Sequence, residues 1–344
     1  MTSQPQTAAR TARTAHTVLS CVLLGALALT GATGCGGPSP ASADGRKDTP
    51  AVRKAAPEPT GTVDLARHIT DYTDGITADG SYRIPTERER RAVADGVRAL
   101  LDGDCAAAAR RLSAVGYAVR TLADSTGGDS TGGARYAEIA DATREGEARR
   151  GWGRVYVDLR GPARWQVQVP HPSADQRTEQ LGIGLLRGAP GGVLVLAGAH
   201  RAADSGDGPD AADVAHRRDS VFAAVSDALA DRRLPAVQVH GFADSSLPDH
   251  DVVVSPGKGE EGLPSARRLS AAYRAQGMRV CEVWERYCGR LEGRTNVEGE
   301  YAEQAGVPFL HVEHNRRVRD DDELVAKAVR ALVEVAKTWG PERG

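Results

Sequence analysis

The chain has 344 residues, of which 40% are hydrophobic, 26% charged and only 4% aromatic. This balance supports a good-sized core and excludes wholesale disorder, collagen-like repeats and a small disulfide-stapled scaffold. Its 44 basic and 46 acidic side chains give a formal net charge of −2, without the basic excess that a nucleic-acid surface normally needs.

The amino-terminal segment has the pattern of an address. Residues 1–17 carry Arg10 and Arg13 and no acid, and residues 18–29 (VLSCVLLGALAL) form an apolar run too short to span a bilayer comfortably. A signal peptide over residues 1–34 is expected. It closes on Ala32-Thr33-Gly34-Cys35, which resembles the lipobox of bacterial lipoproteins, with Ala32 where that motif usually has Leu. The resemblance implies a lipid on Cys35 and a location outside the cytosol, anchored to the outer face of the membrane, or otherwise secretion. Residues 35–62 are rich in Gly, Pro and charge and lack apolar periodicity, so a flexible tether is expected there.

Ordered structure is expected from about Val63. Pro85, Glu87 and Glu89 suit the start of a helix running to 101, a second helix covers 104–115, and strands are predicted at 117–122 and 136–140 around a Gly/Ser/Thr loop. Residues 63–150 carry no chemical motif and read as a small α+β region with a role in packing or substrate access.

From Gly151 strands alternate with helices. Strands are predicted at 155–159, 165–169, 193–197, 236–242, 251–255, 278–284 and 307–313, and helices at 175–186, 214–230, 265–276 and 321–339. Apolar runs such as Val193-Leu194-Val195-Leu196 mark strands covered on both faces. The fold class expected for 151–344 is therefore α/β: a three-layer α/β/α sandwich with a mixed, largely parallel sheet. Cys281 and Cys288 lie seven residues apart, and export permits a local disulfide between them.

Such sheets bind ligands at the carboxyl ends of their strands. Strand 165–169 leads through Pro170 to His171, followed by Asp175 and Glu179; strand 236–242 contains His240-Gly241; the last strand reaches Glu313, followed by His314, Asn315 and a basic trio, Arg316, Arg317 and Arg319. Two imidazoles and one carboxylate can hold a catalytic Zn2+ with a fourth position open to water, and a nearby carboxylate can take the proton of that water.

The segments PHPSADQRTE, LAGAHRAAD, VQVHGFAD, LEGRTN and FLHVEHNRRVR occur in that order, and their succession resembles the poly-γ-glutamate hydrolase family, a branch of the zinc carboxypeptidase-like fold. N-formylglutamate amidohydrolases resemble it more loosely. The likeness covers residues from 151 to the end. It implies an amide-hydrolysing enzyme in which His171 and His240 bind zinc, Glu313 is the general base or acid, and Arg319, or Arg294 with Asn296, holds an anionic part of a small peptide or polyglutamate-like substrate. The first motif departs from the family in the offset of its acid, which leaves Asp175 and Glu179 both open as the carboxylate ligand.

Other roles compete for the same side chains. Ser173 to Gln176 also fits a capping box at a helix start. His200 and His216 are candidates for orienting a metal ligand from behind, or for capping loops. His311 shares a strand face with Glu313 and reads as a core residue. With the site inactive, the same fold would serve as a non-catalytic ligand- or cell-wall-binding lipoprotein.

Overall fold

In this computed structural model the described residues are 60–126, 134–144, 146–203, 206 and 210–339. The expected signal peptide, the lipidation site Cys35 and the tether lie outside them.

Ten strands among the described residues form one sheet. They are β1 (Gly61–Val63), β2 (Tyr117–Asp124), β3 (Arg135–Asp141), β4 (Arg154–Asp158), β5 (Trp165–Val169), β6 (Gly192–Leu196), β7 (Ala236–Phe242), β8 (Val252–Ser255), β9 (Val280–Glu282) and β10 (Phe309–Asn315). Their spatial order is β1-β2-β3-β4-β6-β5-β7-β10-β8-β9. The central strands β6, β5, β7 and β10 run parallel, whereas β4 and β8 flank them antiparallel. Strands from before residue 151 continue the same sheet, since β3 pairs with β4 through Ile139 and Val155.

Helices cover both faces. On one side α1 (Leu65–Thr73), α5 (Thr178–Gly188), α7 (Leu263–Ala275) and α10 (Asp322–Ala336) contribute Ile69, Leu185, Leu269 and Leu332 to a core with Val167, Val237 and Leu310. On the other, α2 (Glu87–Leu101), α3 (Cys105–Ser113) and α6 (Val221–Asp231) pack Val97, Leu112 and Phe222 over Val155 and Val195. The sandwich expected from the alternation is thus present, and it extends beyond the region that suggested it.

The helix at Glu87 begins as its sequence predicts. Thr86 accepts from Glu89 N at 3.3 Å and Glu89 Oε2 accepts from Thr86 N at 2.8 Å, a reciprocal capping box. Thr86→Ala is expected to lower stability by about 1 kcal/mol, read as a lower denaturant midpoint at unchanged slope.

Three helices escaped the sequence reading: α1, α8 (Val297–Gln304) and α9 (Arg316–Asp320). For α8 the reason is plain, because Gly299 and its acids leave it without a continuous apolar stripe. The predicted helix 214–230 is broken into a 3-10 turn, Val214–His216, and α6, whose Ser220 cap accepts from Ala223 N at 2.9 Å.

Strand alternation positions the site. In β5, β7 and β10 the residues Val167, Val169, Val237, Val239, Leu310 and Val312 face the α1/α5/α7/α10 core. Their neighbours in sequence, Gln166, Gln168, Gln238, His240, His311 and Glu313, must then share the opposite face. Register aligns Gln168 with Gln238, Gln238 with His311, and His240 with Glu313. A buried polar band therefore crosses three adjacent strands.

Candidate metal centre

His171, Asp175 and His240 converge at one end of that band, with one ligand atom from each within 4.8 Å of the others. All three are buried. Asp175 Oδ2 lies 3.5 Å from His171 Nδ1 and 3.2 Å from His240 Nδ1, and the rings are 5.1 Å apart.

Asp175 reaches this place through an unusual turn. Its N–H donates to His171 O at 2.9 Å, closing one helical turn, but Gln176 and Arg177 adopt φ of 49° and 63°, so no helix continues. Left-handed backbone at two successive non-glycine residues is strained, at about 1–3 kcal/mol each. Helix α5 accordingly starts only at Thr178, without a side-chain cap at Arg177. The capping box read at Ser173 to Gln176 is absent: Ser173 Oγ donates instead to Ile76 O at 2.7 Å. Gly241 is required beside it, since a Cβ there would come within 2.7 Å of Asp175 O and 2.5 Å of the Arg319 guanidinium.

Each imidazole has its far nitrogen occupied. His171 Nε2 lies 2.8 Å from Asp213 Oδ1, and His240 Nε2 lies 2.9 Å from Gln238 Oε1. Such partners orient a ligating ring and fix which nitrogen is free. Asp213 was missed in the sequence, where nothing local separates it from Asp210. His200 and His216, nominated for this role, stand elsewhere. His200 Nδ1 accepts from Ala202 N at 3.1 Å and lines a cleft of about 420 Å³ with Tyr72, Ile76 and Gly198. His216 is exposed, 3.3 Å from Thr295 O.

Electrostatics favour a cation among these groups. Burial opposes the His171 imidazolium, but hydrogen bonds to Asp175 and Asp213 outweigh it and push His171 up to about 9. Asp175 is likewise penalised by burial, and its contacts with His171 and His240 still hold it far below the usual carboxylate range. Burial and the neighbouring His311 lower His240. A proton and a metal ion thus compete for one spot. The donor set, two imidazole nitrogens and a carboxylate oxygen, suits zinc, and His171 Nδ1 is buried without a hydrogen-bond partner, so the residues fit the ion.

Glu179 is a separate group. It is buried in the first turn of α5, accepts from Gln180 Nε2 at 3.2 Å and is raised by burial. Asp175, not Glu179, stands with the two histidines.

Glu313 lies on β10 opposite His240. Its Oε1 is 3.4 Å from His311 Nε2, and its Oε2 is buried with no hydrogen-bond partner. Strand β10 continues two residues past Glu313 to Asn315, so this carboxylate is held by ladder hydrogen bonds on both sides. His311 belongs to the site too: its ring sits 4.5 Å from that of His240. The expectation that it merely packs is corrected by this contact.

The substrate-binding candidates divide. Asn296, at the start of α8, is buried and directs Nδ2 to Gln238 Oε1, His240 Nε2 and His311 Nδ1. Arg294 is largely exposed and pairs with Glu292 at 2.7 Å. Arg319, expected to grip a substrate carboxylate, is buried and donates through its three nitrogens to main-chain oxygens: His314 O at 3.1 Å, Gln176 O at 2.6 Å and Phe242 O at 3.0 Å. It braces the ends of β7 and β10 against the strained turn, a correction to its expected role. Cys281 and Cys288 are bonded to each other, just ahead of the loop that delivers Asn296. Cys105 is free and exposed.

No family model and no curated protein matches the chain. Among solved structures, it is similar to a bacteriophage poly-gamma-glutamate hydrolase at 12% identity, covering 53% of this chain and 86% of that one, with a TM-score of 0.37. A putative carboxypeptidase from Burkholderia mallei is similar at 14% identity; the match covers 54% of this chain and 60% of that one, with a TM-score of 0.38. A succinylglutamatedesuccinylase/aspartoacylase from Rhodobacter sphaeroides is similar at 16% identity over 61% and 66% of the two chains, TM-score 0.36. At these values the chemistry has to be read from this chain's own side chains.

Proposed function

We propose that the protein is a zinc-dependent hydrolase of amide or peptide bonds, with His171, Asp175 and His240 as metal ligands and Glu313 as the general base. The observation that carries this reading is the convergence of three buried ligand atoms within 4.8 Å of one another, beside a carboxylate with an unpartnered oxygen. When bound, a zinc ion supplies Lewis-acid chemistry, acidifying water toward neutrality and polarising a carbonyl. Asp213 and Gln238 hold the two imidazoles in line. Glu313 accepts a proton from the attacking water through its free oxygen and returns it to the leaving amine, with His311 steadying the other oxygen. Burial keeps bulk water from competing for these groups.

Small γ-glutamyl or cell-wall-type peptides are the substrates we favour. With Arg319 engaged by backbone, exposed Arg294 is the candidate cation for a substrate carboxylate, because a surface pair with Glu292 exchanges at little cost. The same reading puts the enzyme outside the cytosol, carried on a lipid at Cys35, and the Cys281–Cys288 bond suits an oxidising compartment.

Metal analysis of the full chain tests the reading. Purified with zinc and desalted, the wild type is expected to keep about one zinc per chain and His171→Ala to keep almost none, as one of three protein ligands is lost. A wild type that retains no metal would leave a binding protein on this fold as the surviving account.

A further inference from the structure

Three glutamines cross the polar face of the sheet toward His240, and their hydrogen bonds point one way. The line begins at two main-chain oxygens, which can only accept: Gln166 Nε2 lies 3.5 Å from Ser226 O and 3.3 Å from Leu234 O. Gln166 therefore presents its oxygen to Gln168 Nε2 at 2.9 Å, and Gln168 presents its own to Gln238 Nε2 at 3.0 Å. The second hydrogen of Gln238 Nε2 goes to Glu298 Oε2 at 3.1 Å. What remains of Gln238 is its oxygen, which accepts from Asn296 Nδ2 and faces His240 Nε2 at 2.9 Å.

A primary amide has two hydrogens to give and two lone pairs to fill, and fully buried Gln238 uses all four. Turned round, it would set its oxygen against those of Gln168 and Glu298. Orientation is thus fixed from a distance, by oxygens that cannot change roles.

Resting on the metal reading above, we infer that Gln238, oriented by Gln168, Gln166 and Glu298, is a positioning residue that keeps a hydrogen on His240 Nε2 and so commits Nδ1 to the cation. His240 Nδ1 and Asp175 Oδ2, 3.2 Å apart, then confront each other as two lone pairs, a contact that only a proton or a metal ion between them relieves. The effect spreads to the base. With His240 Nε2 carrying hydrogen, the second hydrogen of Asn296 Nδ2 goes to His311 Nδ1 at 3.3 Å. His311 therefore carries its own hydrogen on Nε2, the nitrogen that faces Glu313. One chain of amides sets both the metal-side imidazole and the imidazole behind the base.

The test reads nitrogen protonation directly. In the full chain with ¹⁵N-labelled histidine, long-range ¹H–¹⁵N spectra are expected to show His240 Nε2 protonated both without metal and with zinc. In Gln238→Leu without metal, the hydrogen is expected to move to Nδ1, toward Asp175. Zinc affinity, measured by chelator competition, should then fall about 10- to 100-fold. Gln238→Glu, which keeps an acceptor oxygen toward His240, is expected to restore most of that affinity. An unprotonated Nε2 in the metal-free wild type, or unchanged affinity in a folded Gln238→Leu, overturns the inference. Should Gln238→Leu not fold, the wild-type spectrum decides alone. A wild type with Nε2 protonated that binds no zinc supports the positioning role and removes the metal reading instead.

Discussion

Glu313→Gln is expected to reduce hydrolysis of γ-linked peptides about 10²- to 10⁴-fold, the usual worth of a positioned general base, while zinc content stays at the wild-type level. The substitution keeps shape and burial, and the ligand set of His171, Asp175 and His240 is untouched. What it removes is proton-accepting capacity at the oxygen that has no hydrogen-bond partner. An amide in that place still meets His311 Nε2 through its own oxygen, so the stacking of His311 on His240 should persist. Activity and metal content are measured on the same preparation. If kcat/KM is unchanged at full zinc occupancy, Glu313 is not the base. If metal and activity disappear together, the carboxylate is instead needed to assemble the centre.

Arg319→Met is expected to cost about 3–5 kcal/mol of stability, because three charge-assisted hydrogen bonds disappear and the buried carbonyls of His314, Gln176 and Phe242 lose a donor. For a domain of this size that corresponds to a melting temperature lower by about 10 °C. The loss should reach the metal as well. Gln176 stands next to Asp175 in left-handed backbone, and the guanidinium bond to its carbonyl is one of the contacts that hold that turn. Zinc retention should therefore fall together with the melting temperature. A substrate-anchoring arginine predicts the opposite pattern, a raised KM at unchanged stability and metal content, and that result would reverse the assignment of Arg319 as a brace.

Arg319 and Asp175 show where a sequence stops informing. A guanidinium downstream of a strand end looks the same whether it grips a substrate or three carbonyls, since its partners come from residues 143 and 77 positions away as well as from its own strand. The helix predicted from Asp175 fails for a related reason. Local spacing in 171–179 favours a cap and a helix, and tertiary contacts from Arg319 and Gly241 stabilise a strained turn that no local preference would choose. Asp213 carried no signal at all, lying among other acids in a loop, and only its 2.8 Å contact with His171 distinguishes it.

The period-two pattern was far more informative. WQVQV, AVQVHGF and FLHVEHN each alternate an apolar with a polar residue, and strands in which both faces are buried have no solvent-driven need for those polar side chains. The α/β/α layering, the strand positions and the nomination of His171, His240 and Glu313 came from this pattern, from the residues at strand ends and from an ordered motif likeness. It determined them because alternation, turn chemistry and chain reversal are local properties, enforced within a few residues. Which carboxylate joins the histidines, which nitrogen of each ring is free, and whether an arginine meets substrate or backbone were settled only by tertiary structure. Those outcomes depend on distances between side chains from different strands and turns, and register, not composition, sets such distances.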